Sequence, residues 1–176
     1  MQEAPKEMKV TETPVQGAYV LEPDRHEDQR GFFQELFNRD RYKVIAGPVA
    51  QINWSFSCRN VVRGIHKVPF FKLCTCLSGE LWDVVVDLRP NSPTYKKWFG
   101  VWLDPGTPKQ LYVPPDCGHG FFAATDNTLF VYAQGGVYDP ALESSVHFQD
   151  PTLGVKWPAA DYIVSEKDAL ASFLNS

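Results

Sequence analysis

Residues Gln51-Ile52-Asn53-Trp54-Ser55-Phe56-Ser57 alternate without a break, with apolar side chains on one face and amide or hydroxyl side chains on the other. That period of two belongs to a β-strand, whose successive side chains point to opposite faces. Working outward, further strand-like runs follow at Asn60 to Ile65, Phe71 to Leu77, Glu80 to Leu88, Trp98 to Leu103, Gln110 to Val113, Gly120 to Ala124 and Thr128 to Gln134. Turn signals separate them: Ser78-Gly79, Arg89-Pro90-Asn91-Ser92-Pro93, Asp104-Pro105-Gly106 and Pro114-Pro115-Asp116. Short strands at this spacing predict a sandwich or a jelly-roll β-barrel. Helix is expected only near Glu35 to Ile45 and from Ser165 to Leu174. Residues 1–16 are polar and irregular, and read as an extension that is disordered or adds a strand. Residues 17–176 read as one mainly β domain.

Composition agrees with that reading and excludes several functions. A chain of 176 residues supports one sizeable core, and 44% apolar with 22% charged residues marks it as globular. A net charge of -4, with no local cluster of lysine and arginine, argues against nucleic acid as a partner. No apolar run is long enough to span a bilayer, and the N-terminal stretch lacks a signal-peptide core. The expectation is a protein of the reducing cytoplasm. Cys58, Cys74, Cys76 and Cys117 lack zinc-site spacing, and Cys74 and Cys76 are expected reduced and buried on one face of a strand.

The polar face Gln51, Asn53, Ser55, Ser57 suits either solvent or a barrel interior that holds a small ligand. The next strand delivers Arg63 and His66, which favours the interior. A metal site in such a barrel would need clustered ligands, and His26, His66, His119 and His147 stand singly along the chain. Proton transfer fits better. An imidazole is the natural base near neutral pH, a neighbouring cation stabilises a forming oxyanion, and a phenol returns a proton. His66, Lys72 and either Tyr132 or Tyr138 supply these groups. Each also has a plain structural reading: a rim histidine, a snorkelling lysine, a core aromatic.

Several ordered motifs decide between the two readings: "DQRGFFQE", "QINWSFS", "VVRGIH", "SGELWDVVVDLRPNSPTYKKW", "LYVPPDCGHGF", "VYDP", "DPTLGVKWP" and "SEKDA". Together they resemble the dTDP-4-dehydrorhamnose 3,5-epimerases over about Gly17 to Leu170. The resemblance implies a homodimeric, cofactor-independent and metal-free jelly roll of the cupin type. It also implies a nucleotide-diphospho-4-keto-6-deoxy sugar as substrate. It assigns the base to His66, its carboxylate partner to Asp168, the oxyanion cation to Lys72 and the acid to Tyr132. Arg30, Glu35, Gln51, Asn53, Arg63, His119, Tyr138 and Glu143 fall where the family contacts diphosphate, nucleoside or sugar. The segment from Arg30 to Glu35 is expected to reach the partner subunit's site. Ser165-x-x-Asp168 has a local reading as well, as a capping box that opens the last helix.

Only Lys67 to Phe71 separate the histidine from the lysine, a shorter loop than the family pattern, with Phe70-Phe71 in place of polar residues. That departure resembles relatives acting on GDP-linked 4-keto-heptoses. The alternatives are therefore a C3-only epimerase, one for GDP- or CDP-linked sugars, a barrel that binds sugar nucleotides without catalysis, and a metal-dependent isomerase or dioxygenase.

Overall fold

The computed structural model describes residues 8–45, 47–158 and 161–174. Thirteen strands form two facing sheets and one separate hairpin, with every strand pairing antiparallel. They are β1 (Lys9–Glu12), β2 (Tyr19–Glu22), β3 (Arg25–Asp28), β4 (Gly31–Gln34), β5 (Gln51–Ser57), β6 (Val62–Lys67) and β7 (Lys72–Ser78). The rest are β8 (Leu81–Val86), β9 (Trp98–Leu103), β10 (Gln110–Val113), β11 (Gly118–Ala123), β12 (Thr128–Gln134) and β13 (Ser144–Ser145). One sheet runs β1-β2-β10-β7-β12-β5, the other β13-β6-β11-β8-β9, and β3 pairs only with β4. The jelly-roll class expected from the strand spacing is the architecture found.

Inner-face residues of both sheets interlock in the core. Cys74, Leu111 and Phe130 come from the first sheet, and Val85, Leu103 and Phe121 from the second. Burial of such side chains is worth about 1.5–3 kcal/mol each. β7 and β8 show no alternation because both of their faces are covered. Tyr42, 1% exposed, covers the outer face of the first sheet together with Phe71, Leu73 and Tyr112.

Tyr42 sits where a helix was expected, in Glu35 to Ile45. The structure has turns there. Asn38 Oδ1 accepts from the backbone N–H groups of Asp40 and Arg41, and Asn38 O accepts from those of Arg41 and Tyr42. A short polar side chain competing for backbone donors stops the helix after one turn. The second expected helix, Ser165 to Leu174, shrinks to α1 (Glu166–Ala169). Beyond it the chain is tied elsewhere. Ser172 O accepts from His147 N, and Leu174 N donates to Asp150 Oδ2.

The sequence reading did not foresee β2, the β3–β4 hairpin with its exposed Phe32 and Phe33, or the two-residue β13. At the N-terminus, residues 1–7 of the expected extension lie outside the described residues. Lys9–Glu12 pairs with β2, and Val15 is fully buried in the core. No helix among the described residues is long and apolar enough to cross a membrane.

Candidate active site

Strand β5 is the outer edge of its sheet, and its apolar face points away from the barrel. Ile52, Trp54 and Phe56 are 67%, 70% and 56% exposed, whereas Ser57 is buried and Gln51, Asn53 and Ser55 are half-buried. The polar face therefore looks inward, on a cavity of about 380 Å³. Gln51 is fixed at the cavity wall. Its Nε2 donates to Asn53 Oδ1 (2.7 Å), and its Oε1 accepts from the backbone N–H of Tyr138 (2.8 Å). Arg63, at the mouth, donates from Nε to Ser57 Oγ (3.3 Å) and from Nη2 to Phe56 O (3.5 Å).

Gly64 shapes the strand that carries His66. Its φ is +121°, and a Cβ there would stand 2.6 Å from Gly120 Cα and 2.7 Å from His119 O. No side chain fits this approach, and the β6–β11 register shifts beside it, between His119 and Phe121. His66 faces the cavity across from His119, its register partner on β11.

The His66 ring is held by a residue 102 positions away: Nε2 lies 2.6 Å from Asp168 Oδ1. The second carboxylate oxygen, Oδ2, accepts from Gly64 N (3.2 Å). Burial pushes the Asp168 carboxyl upward, but the bonds from His66, Gly64 and Ser165 outweigh it and hold it below the usual range. Asp168 is thus ionised and accepts the Nε2 proton, leaving Nδ1 as the other ring nitrogen of His66. The capping role coexists with this one, because Asp168 N donates to Ser165 Oγ (3.1 Å) while its side chain turns inward.

Lys72 and Tyr132 line the same cavity, with Lys72 Nζ 5.5 Å from the Tyr132 ring centroid. Burial lowers the Lys72 pKa below 10.5, partly offset by Cys74, Glu143 and Asp83. Burial raises that of Tyr132, reinforced by Cys74 and Glu143, so the phenol stays protonated. Tyr138 also lines the cavity. Glu143 is held by Lys167 beside α1 and reaches Lys72 and Tyr132 through its charge.

Arg30 and Glu35 lie apart from these groups. Arg30, 85% exposed, pairs with Asp28 in the hairpin turn, and Glu35 pairs with Arg41 and Asn38.

His119 differs from the isolated histidine that the sequence suggested. Its Nε2 lies 2.8 Å from Asp83 Oδ1 and 3.4 Å from Cys74 Sγ. Burial holds its pKa below 6.5, despite the nearby Asp83, so the ring is neutral. Cys74, Asp83 and His119 are also the group among the described residues that offers a metal three ligand atoms, all within 4.8 Å of one another. These partners come from three strands, β8 and β11 of one sheet and β7 of the facing one, and leave no spacing to read. One trace was available, because Asp83 is a single charge inside the apolar run Leu81–Val86. Cavity-lining Phe121 and Phe130 were missed because their residue types look like core.

The family model for dTDP-4-dehydrorhamnose 3,5-epimerase matches residues 12–176. A Streptomyces niveus protein named dTDP-4-dehydrorhamnose 3-epimerase is 39% identical, covering 95% of this chain and 84% of its own. A Methanothermobacter thermautotrophicus dTDP-4-dehydrorhamnose 3,5-epimerase is 37% identical over 92% of each. Among solved structures, a Legionella pneumophila dTDP-6-deoxy-D-glucose-3,5-epimerase in complex with dTDP-4-keto-L-rhamnose superposes with a TM-score of 0.91. It is 36% identical, over 96% of this chain and 93% of that one. With fold, cavity and nearly full-length similarity in agreement, the chain belongs to the dTDP-4-dehydrorhamnose 3,5-epimerase family.

Proposed function

We propose that the protein epimerises a nucleotide-diphospho-4-keto-6-deoxy sugar of the dTDP-4-dehydro-6-deoxyglucose type, inverting C5 and C3 through enolates at the C4 ketone. The observation that carries this reading is the His66–Asp168 pair in one cavity with Lys72 and Tyr132. Asp168 holds the Nε2 proton of His66, and Nδ1 takes the proton from the carbon beside the ketone. The electron pair left on carbon moves onto the C4 oxygen, where the Lys72 ammonium donates a hydrogen bond. Tyr132 gives its proton to the opposite face of that carbon, and solvent resets both groups. A positioned base or acid supplies ~10²–10⁴ in rate.

Gln51, Asn53, His119, Tyr138 and Glu143 are assigned to sugar and nucleoside, and Arg63 to diphosphate, which its guanidinium fork suits. Two chains are proposed to pair over β5, whose exposed Ile52, Trp54 and Phe56 form an apolar stripe on a sheet edge. The hairpin from Arg30 to Glu35 would then serve the partner subunit's cavity. Residues 17–176 form the epimerase domain in this reading.

The test is incubation with the dTDP-linked 4-keto sugar in heavy water. Deuterium at both C3 and C5, lost in His66→Ala, is the expected result; no deuterium at either carbon sinks the reading. Deuterium at C3 alone would select the C3-epimerase, the activity named for the Streptomyces niveus relative. Thermal shifts with dTDP, GDP, CDP and UDP identify the nucleotide, because a bound ligand raises apparent stability by mass action.

A further inference from the structure

We propose that Cys74, Asp83 and His119 form a buried binding site, reached through His119 from the cavity, for a thiophilic divalent cation such as Zn²⁺. The three residues are 0%, 0% and 5% exposed, and each offers one ligand atom, all within 4.8 Å of one another. A thiolate, a carboxylate and an imidazole are the donor types zinc takes. Three protein donors with a fourth position left open describe a reactive site rather than a closed structural one. Of the three residues, His119 also lines the cavity.

Distances support the fit. Tetrahedral zinc with bonds of roughly 2.0–2.3 Å sets neighbouring donors about 3.3 Å apart for N and O and about 3.6 Å apart for S and N. The observed separations are 2.8 Å for His119 Nε2 to Asp83 Oδ1 and 3.4 Å for Cys74 Sγ to His119 Nε2. An ion entering between them needs only a few tenths of an ångström of opening. A second observation points the same way. Asp83 Oδ2 is buried with no hydrogen-bond partner, an orphan acceptor of the kind a cation satisfies.

Charge sets the character of the site. Binding releases the Cys74 thiol proton to solvent and shifts the neutral His119 ring's proton from Nε2 to Nδ1, freeing Nε2 for the ion, so a thiolate and a carboxylate offset the two charges of the ion. The Lys72 ammonium, electrostatically coupled to both Cys74 and Asp83, opposes it. The site is therefore reversible and inhibitory: an ion there ties up His119 and places positive charge beside Lys72. Cation binding itself does not depend on the epimerase reading, whereas the inhibition does.

The experiment uses the full chain carrying Cys58→Ser, which removes the exposed thiol. Titration with Co²⁺ should give one equivalent of a near-ultraviolet sulfur-to-cobalt charge-transfer band, displaced by Zn²⁺. Adding Cys74→Val should abolish the band, and adding Asp83→Asn should weaken binding at least tenfold. Zn²⁺ should raise the melting temperature of the Cys58→Ser protein and not that of its Cys74→Val derivative. Where Cys74→Val fails to fold, Cys74→Ser takes its place with the same expected loss. Absence of the band, or a band that survives removal of the Cys74 thiol, overturns the proposal. A cation that binds without slowing deuterium exchange keeps the site and overturns only its inhibitory role.

Discussion

Two histidine–aspartate pairs stand across from each other on neighbouring strands, and nearly the same contact yields two different groups. His66 lies 2.6 Å from Asp168, and His119 lies 2.8 Å from Asp83. The His66 side chain is 24% exposed and that of His119 only 6%. Asp168 has both oxygens engaged, by His66 and by Gly64 N, whereas Asp83 leaves Oδ2 without a partner. The first pair is open to the cavity on one side, as the proposed proton carrier needs. The second is buried, its ring neutral, and next to a thiol. The environment divides the roles, and hydrogen-bond length does not.

The comparison breaks outright if the two rings prove interchangeable. His66→Asn should lower kcat by ~10³–10⁴ and remove deuterium exchange. His119→Asn should instead raise KM by about tenfold with exchange intact at saturating substrate, the signature of lost binding. Equal kcat losses would refute the division.

A smaller effect sharpens the role of the first carboxylate. Asp168→Asn should cost ~10² in kcat, because an amide no longer fixes the ring's proton on Nε2. Its pH–rate profile should shift, which a merely structural loss would not produce. Asp83→Asn, by contrast, should act on stability, at about 1–3 kcal/mol in a denaturant titration.

The smallest effect concerns pH. In the proposed reaction Lys72 acts as a cation, and burial lowers its pKa below 10.5, so the activity should fall on the alkaline side earlier than for an exposed lysine. The sign for stability is opposite. The folded protein binds fewer protons than the unfolded chain between the lowered value and 10.5, so stability should rise with pH across that window. Lys72→Arg should move the alkaline limb of kcat/KM upward, since a guanidinium stays charged there.

The sequence foretold these regions unequally. β5, β9, β10 and β12 were legible to the residue, because alternation and flanking turn residues set their ends. The direction of β5 was harder. Apolar side chains normally mark the buried face, and here Ile52, Trp54 and Phe56 are the exposed ones. Only Arg63 and His66, expected on the next strand, hinted at the inversion. The first pair was readable through motif resemblance. The second was not, because Cys74, Asp83 and His119 meet across three strands and share no spacing. The overturned helix at Glu35 to Ile45 failed for a local reason: Asn38 takes up donors that a helix would need.

The distance along the chain between His66 and Asp168 bears on biosynthesis. A polypeptide emerging from the ribosome presents the imidazole about a hundred residues before its carboxylate. The barrel strands are translated well ahead of the single helical turn that completes the pair. Nascent or truncated chains that stop short of residue 168 would therefore have most of the vessel and lack the carboxylate that orients the imidazole. On the proposed roles, full activity would wait for one of the last parts to be written.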